Sequence, residues 1–150
     1  MSGNAKTVPV TIITGFLGSG KTTLLNRILK ENHGKKIAVI ENEFGAVGVD
    51  DKLVEDQKHQ EEAIVEVMNG CICCTVRQDL VDTLLEMKKK YIETGRIDYI
   101  IIETTGMADP APVLQTFLLN DEVQEWCKVD SCLTVCDASQ IVTRLEEDRE

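Results

Sequence analysis

The sequence predicts an α/β domain, a doubly wound and mainly parallel sheet with helices on both faces. Three observations carry that expectation. The aliphatic residues fall in short Val, Ile and Leu runs while only 4% of the chain is aromatic, a pattern that suits strands buried on both faces better than the one-sided strands of a sandwich. The first of these runs feeds a glycine-rich turn and then a helical stretch. With 150 residues and 43% hydrophobic content, the chain has the length of one domain, enough to bury about 70% of its unfolded surface.

The first strand is read over residues 8 to 14, Val8-Pro9-Val10-Thr11-Ile12-Ile13-Thr14. It runs into Gly15-Phe16-Leu17-Gly18-Ser19-Gly20-Lys21-Thr22 and then Thr23, the spacing of a phosphate-binding loop. Glycines there let successive backbone N–H groups point inward and form an anion nest at a helix N-terminus. Lys21 reaches the β- and γ-phosphates as a point charge, and the Thr22 hydroxyl is placed to ligate Mg²⁺. The alternative, a glycine-rich turn that happens to carry a lysine, leaves the strand before it and the helix after it without a purpose. The expected fold is therefore that of a P-loop nucleoside triphosphatase.

The helix after the loop is expected to end near Asn32-His33-Gly34, where glycine supplies a stop. Lys36 to Ile40 reads as the second strand, and Glu41 to Asp51 follows as an acidic, glycine-punctuated segment at a strand's carboxyl end, the ligand-binding edge of an open parallel sheet. A solvated turn is the plain alternative for it. Residues 52 to 62 are charged and read as an exposed connection, with His59 solvated. Ala63 to Met68 is the third strand, closed by Asn69-Gly70.

Cys71-Ile72-Cys73-Cys74 comes next. Three thiols in four residues at a strand-to-helix junction can converge on one soft or borderline metal ion, and a helix N-terminus lowers thiol pKa toward the ligating form. Inert packed cysteines or a redox pair are the alternatives. Three thiolates leave a fourth position, which Glu41 or a water can fill. So open a site suits metal transfer better than storage.

Thr75 to Lys90 reads as an amphipathic helix whose Lys88-Lys89-Lys90 end is solvated. Ile97 to Glu103 is the most apolar strand, and it ends in a carboxylate followed by Thr104-Thr105-Gly106. Such a position holds Mg²⁺ and senses the γ-phosphate, so Glu103 joins Thr22 on the Mg²⁺ side and Gly106 joins the nucleotide contacts. Met107 to Pro112 is a stiff turn suited to act as a switch, and a helix follows over about 111 to 120. Val129 to Asp137 reads as the fifth strand, with Cys132, Leu133, Val135 and Cys136 in the core; Trp126 and Cys127 carry no functional signal. Ile141 to Glu150 is helical in composition and stops without a cap, so the fold is expected to be incomplete at the carboxyl terminus.

Charge and composition exclude some functions. A formal net charge of −10 gives no positive field for a phosphate polymer, which argues against nucleic acid as a partner. No apolar stretch approaches the roughly 18 residues a membrane span needs. The six cysteines, beside a loop that needs a cytosolic nucleotide pool, are read as metal ligands or core residues in a cytoplasmic protein rather than as disulfides.

Taken together, Thr14 to Asn26, Ile40-Glu41-Asn42-Glu43-Phe44-Gly45, Asn69 to Cys74 and Glu103 to Pro110 resemble the CobW-like metallochaperone GTPases, over nearly the whole stretch from Pro9 to Ala138. The resemblance implies residues 1–150 as the N-terminal part of a P-loop GTPase domain, without the family's C-terminal domain. It implies GTP and Mg²⁺ at Lys21, Thr22 and the Glu103 strand end, and zinc, or cobalt, at Cys71, Cys73 and Cys74 with Glu41. It further implies delivery of the metal to an unidentified client protein and allows a homodimer. Where similar proteins often carry a glutamate after Asn-Glu-Phe-Gly, this chain has Ala46. No Asn-Lys-x-Asp loop precedes Glu150, so guanine rather than adenine follows from the resemblance alone. The rival readings are an ATP-dependent small-molecule kinase, with its acceptor near Glu43 and Asp109, and a metal-binding regulatory module that does not hydrolyse nucleotide.

Overall fold

A computed structural model describes residues 7–31, 34–41, 65–68, 76–104 and 109–147, with backbone alone for 41, 65–68, 76–79 and 147. Strand β1, Val8–Thr14, leads through the glycine loop into helix α1, Lys21–Lys30. Then come β2, Ile37–Glu41, β3, Val65–Met68, and α2, Val76–Met87, which runs on into a π-helical turn, Lys88–Ile92. Strand β4, Tyr99–Glu103, precedes α3, Ala111–Leu119, and a short α4, Asp121–Gln124. Strand β5, Cys127–Thr134, and α5, Ile141–Glu147, complete the described elements.

The five strands lie in the order β3-β2-β4-β1-β5, and every pairing is parallel. Alternation along each strand divides its side chains between two cores. Val10, Ile12, Ala38, Ile40, Ile100 and Ile102 pack with Leu80, Leu84 and Met87 of α2 and with Val113 and Phe117 of α3. Ile13, Ile37, Val39 and Ile101 face the other way, onto Leu25 of α1. Helices thus cover both faces, as expected, and because both sides of a strand must be apolar the strands read as continuous runs. One buried polar residue is accommodated by pairing: Thr11 Oγ1 lies 2.8 Å from both Tyr99 OH and Ser131 Oγ, a hydroxyl line across β4, β1 and β5.

Helix α1 stops at Lys30, earlier than the glycine-based expectation, with the Glu31 N–H turned back to the Arg27 and Ile28 carbonyls. The lysine run lies in the π-helical turn rather than a last α-helical turn; Lys90 pairs at 2.9 Å with Glu86 on an exposed surface, a contact that contributes little to stability. Helix α4 was not foreseen; the Asn120 side chain starts it by accepting from the Val123 N–H at 3.0 Å.

The expected burial of Cys132 and Leu133 in β5, and of Cys136 just beyond it, is corrected. Cys132 and Cys136 are exposed and Leu133 retains 44% exposure. Among the described residues β5 pairs only with β1, so it stands at an edge where an apolar composition does not secure cover. Val135 does pack, against the α1-side core. Trp126 and Cys127, at the opposite end of the strand, are core residues.

Burial pushes the Cys127 thiol from the ordinary 9.0 up to about 12, with Lys88 pulling weakly the other way. Because the folded pKa is the higher one, the thiol's contribution to stability is complete below pH 9 and is lost as pH rises toward 12. The contribution falls by about 1.4 kcal/mol per pH unit across that window. Alkylation at pH 8 read by mass spectrometry should label Cys132 and Cys136 in the native protein and Cys127 only after unfolding. Native labelling of Cys127 at the rate of the other two would contradict its burial.

Candidate functional site

The carboxyl edge of the sheet carries the glycine loop between β1 and α1. Gly15 sits at φ +139°, and a Cβ there would collide with the Val135 carbonyl oxygen and approach Ser19 Oγ. Only glycine fits, because the end of β5 presses against the loop, with the Val135 N–H bonded to the Thr14 carbonyl at 2.8 Å. Ser19 N–H closes the turn onto the Phe16 carbonyl at 3.1 Å. Gly20, at φ 96°, precedes α1 without a capping side chain, and the first helical turn carries no acid. The helix thereby keeps first-turn N–H groups and its dipole for an anion.

Lys21 is 6% exposed. Its ammonium donates to the Gly15 carbonyl at 2.9 Å and the Phe16 carbonyl at 3.0 Å, so the charge is held against the mouth of the loop. Thr22 Oγ1 donates to Glu103 Oε1 at 2.9 Å, joining two residues far apart in sequence that were both assigned to Mg²⁺. The strand register explains the meeting. Ile13 of β1 is the register partner of Glu103, and β1 delivers the loop. Thr104 pins the chain just beyond, its N–H at 2.9 Å and its hydroxyl at 3.3 Å from the Ile13 carbonyl.

On its other side Glu103 is the register partner of Glu41, and Glu41 is the partner of Met68. The backbone thus brings Glu41 to the same edge, and β3 ends just before the Asn69-Gly70 that leads to the thiols. Cys71, Cys73, Cys74, Glu43 and Gly106 lie outside the described residues. Among the described residues no three His, Cys, Asp or Glu side chains gather to hold a metal. Asp109, near which the kinase alternative places its acceptor, accepts the Ala111 N–H at 2.9 Å just ahead of α3.

One neighbour of the loop escaped the sequence reading. Phe16, Leu17, Gly18 and Ser19 face Asp137, Gln140, Ile141 and Arg144 across a shallow recess. Asp137 Oδ1 accepts from the Ser139 N–H at 2.9 Å and the Ser139 hydroxyl at 2.6 Å, and these bonds hold its carboxyl below the usual range. The signal was present in Asp137-Ala138-Ser139, a turn that opens a helix.

The family model of the CobW/HypB/UreG nucleotide-binding domain matches residues 9–150. The chain belongs to the CobW/HypB/UreG family. It is 48% identical over 133 residues to zinc chaperone YjiA of Escherichia coli, covering 87% of this chain and 41% of that protein. It is 42% identical over 147 residues to zinc-regulated GTPase metalloprotein activator 1 of Dictyostelium discoideum, covering 88% and 30%. A crystal structure of Zn(II)-bound YjiA GTPase from E. coli superposes with a TM-score of 0.66 at 38% identity, over 94% of this chain and 44% of that one. A Zn(II)-bound triple mutant of YjiA, with one glutamate and two cysteines replaced by alanine, gives a TM-score of 0.65 at 37% identity. The chain therefore spans less than half the length of these relatives.

This CobW/HypB/UreG domain has the P-loop α/β fold, and its described residues fit a magnesium-bound nucleoside triphosphate. The loop glycines Gly15, Gly18 and Gly20 all take positive φ, and α1 opens without a capping side chain or a first-turn acid, which leaves its N-terminus to an anion. The Thr22–Glu103 pair offers the hard oxygen donors that Mg²⁺ takes. No helix among the described residues is long and apolar enough to cross a membrane.

Proposed function

We propose that this protein is a GTP-hydrolysing metal chaperone that holds a transition metal, in the first instance zinc, and releases it to a client under nucleotide control. One observation carries the reading: a single sheet edge bears the phosphate cradle, the Thr22–Glu103 pair and, by register, Glu41 and the strand leading to Cys71. Guanine as the base and zinc as the cargo are supported by relatives named as GTPases and zinc chaperones.

In this reading the loop N–H groups from Gly15 to Thr23 bind the phosphates and Lys21 turns its ammonium from the loop carbonyls to the β- and γ-phosphate oxygens. Thr22 and Glu103 hold Mg²⁺, which when bound offsets phosphate charge and orients the terminal group. Gly106 contacts the γ-phosphate end. Cys71, Cys73 and Cys74 take the zinc as thiolates with Glu41 or water in the fourth position, a soft donor set that also accepts Co²⁺. Hydrolysis would weaken the hold on the metal and release the ion.

The test is zinc affinity by anaerobic chelator competition with Mg²⁺ plus a non-hydrolysable GTP analogue, and again with Mg²⁺–GDP. The expected result is zinc held about fivefold or more tighter in the triphosphate state, about 1 kcal/mol of coupling, with binding lost in Cys73→Ser. Equal affinities with both nucleotides bound would remove nucleotide control, and unchanged zinc binding in Cys73→Ser would remove the thiol site.

A further inference from the structure

The amino edge of the sheet, opposite the phosphate loop, gathers positive charge on a chain whose formal net charge is −10. β2 and β4 both begin there, and the Asp98 and Tyr99 N–H groups reach the Lys36 carbonyl at 3.0 and 3.2 Å. The Lys36 ammonium donates to the Gly95 carbonyl at 2.9 Å, while the Gly95 and Arg96 N–H groups turn back onto the Ile92 and Tyr91 carbonyls. The turn is thereby folded onto the π-helical segment Lys88–Ile92, whose wider winding is closed by the Glu93 N–H on the Lys88 carbonyl at 3.1 Å. Residues 34–36 and 88–98, brought together in this way, carry six cations, Lys35, Lys36, Lys88, Lys89, Lys90 and Arg96, against two carboxylates, Glu93 and Asp98. Lys36 is committed to Gly95, Lys90 to Glu86 at 2.9 Å, and Lys88 approaches Glu125 at 4.0 Å. Lys89 and Arg96 are exposed, and among the described residues their side chains make no hydrogen bond or ion pair. An anion can take both without breaking an existing pair. A π-helical turn is rare and often marks a functional site, and this one sets the lysine run beside the turn that carries Arg96.

We propose that this edge docks an acidic protein segment, a short run of chain with two or more carboxylates, through Lys89 and Arg96. The Arg96 guanidinium presents paired N–H donors that match a carboxylate bidentately, and Lys89 adds a point charge beside it. Charge complementarity selects a short segment over an extended polyanion. Charges farther apart than about 8 Å are screened at physiological salt, so a segment confined to the patch meets its cations and little else. A polynucleotide or an anionic bilayer would lie against the acidic remainder of the surface as well. Tyr91 and Ile92, the large apolar residues of the π-helical turn, are half-buried against the α2-side core, so they are not available to anchor the patch in lipid. The patch lies at the other end of the sheet from Lys21, so the partner binds whether or not nucleotide fills the loop. The docking edge stands independently of the proposed metal site.

The test is fluorescence anisotropy of a labelled polyglutamate peptide titrated with the chain, at low ionic strength and again near physiological salt, with polyglutamine of equal length as the blank. The expected result is saturable, salt-weakened binding of polyglutamate alone. Lys89→Glu combined with Arg96→Glu should weaken it about tenfold, through the loss of two ion pairs and the repulsion put in their place. The neutral pair Lys89→Ala and Arg96→Ala, which adds no repulsion, should weaken it about threefold. Arg144→Glu makes the same change as Arg96→Glu beside the phosphate loop and should alter peptide affinity less than about twofold, since it lies beyond the screening distance. Unchanged Mg²⁺–nucleotide affinity in the doubly substituted chains shows that they are folded. Equal losses in Arg96→Glu and Arg144→Glu overturn the proposal, because net charge and not the patch would then govern binding. Polyglutamate held no better than polyglutamine overturns it as well. So does tighter binding to phosphatidylserine vesicles or to single-stranded DNA than to the peptide, which would make the edge a lipid or nucleic-acid surface.

Discussion

Lys21→Ala is expected to lower affinity for Mg²⁺–GTP by about 100-fold or more. A hydrogen bond to a charged group is worth about 1.5–3 kcal/mol, and this ammonium would serve two phosphates in a recess where it is only 6% exposed. Two such bonds correspond to roughly two to four orders of magnitude in affinity. The substitution also strips the Gly15 and Phe16 carbonyls of their present donor, so the empty loop loses order as well. Lys21→Arg should restore little, since a planar guanidinium cannot occupy the ammonium's position between the two carbonyls. Calorimetric titration with nucleotide checks this directly. An affinity within tenfold of the unsubstituted protein would mean that the loop N–H groups alone carry the phosphates.

Gly15→Ala should damage folding and nucleotide binding together. At φ +139° an alanine is strained, at a cost of roughly 1–3 kcal/mol. Its Cβ would also meet the Val135 carbonyl, and crowding of that kind costs about 1–3 kcal/mol more. Relief requires the end of β5 to move off the loop, breaking the Val135–Thr14 hydrogen bond. Gly18→Ala is the informative comparison, because a Cβ there meets nothing within 4 Å and only backbone strain, at φ +78°, remains. Chemical denaturation of the two variants should place Gly15→Ala clearly below Gly18→Ala. Equal stabilities would show that the β5 contact is not a constraint.

The strands were legible because residues such as Ile100, Ile101 and Ile102 must be apolar on successive positions to face two cores. The phosphate loop was legible because its glycines and lysine answer local geometry. What could not be read was lateral position. Nothing in the sequence tells whether Cys132 and Leu133 belong to a central or an edge strand, since both are apolar runs, and that decided their exposure. Likewise Glu41 and Glu103 were each suspected separately, but their adjacency follows from β2 and β4 being neighbours, a matter of strand order alone. The recess beside Leu17 depends on how α5 packs against the loop, which a turn motif at Asp137 does not specify. The expectations for Cys71, Cys73, Cys74 and Gly106 fall on residues outside those described.

The order of the strands has a consequence for the newborn chain. β1 leaves the ribosome before both of its neighbours, β4, where Val10 pairs with Ile100, and β5, where Val8 pairs with Cys127. At typical translation rates the earlier of these partners, β4, arrives on the order of ten seconds after β1 itself. Throughout that interval a β-branched segment, Val8–Thr14, has no native strand to join. Sheet assembly therefore waits on synthesis, and this segment is where holding chaperones and misassociation compete for the nascent polypeptide.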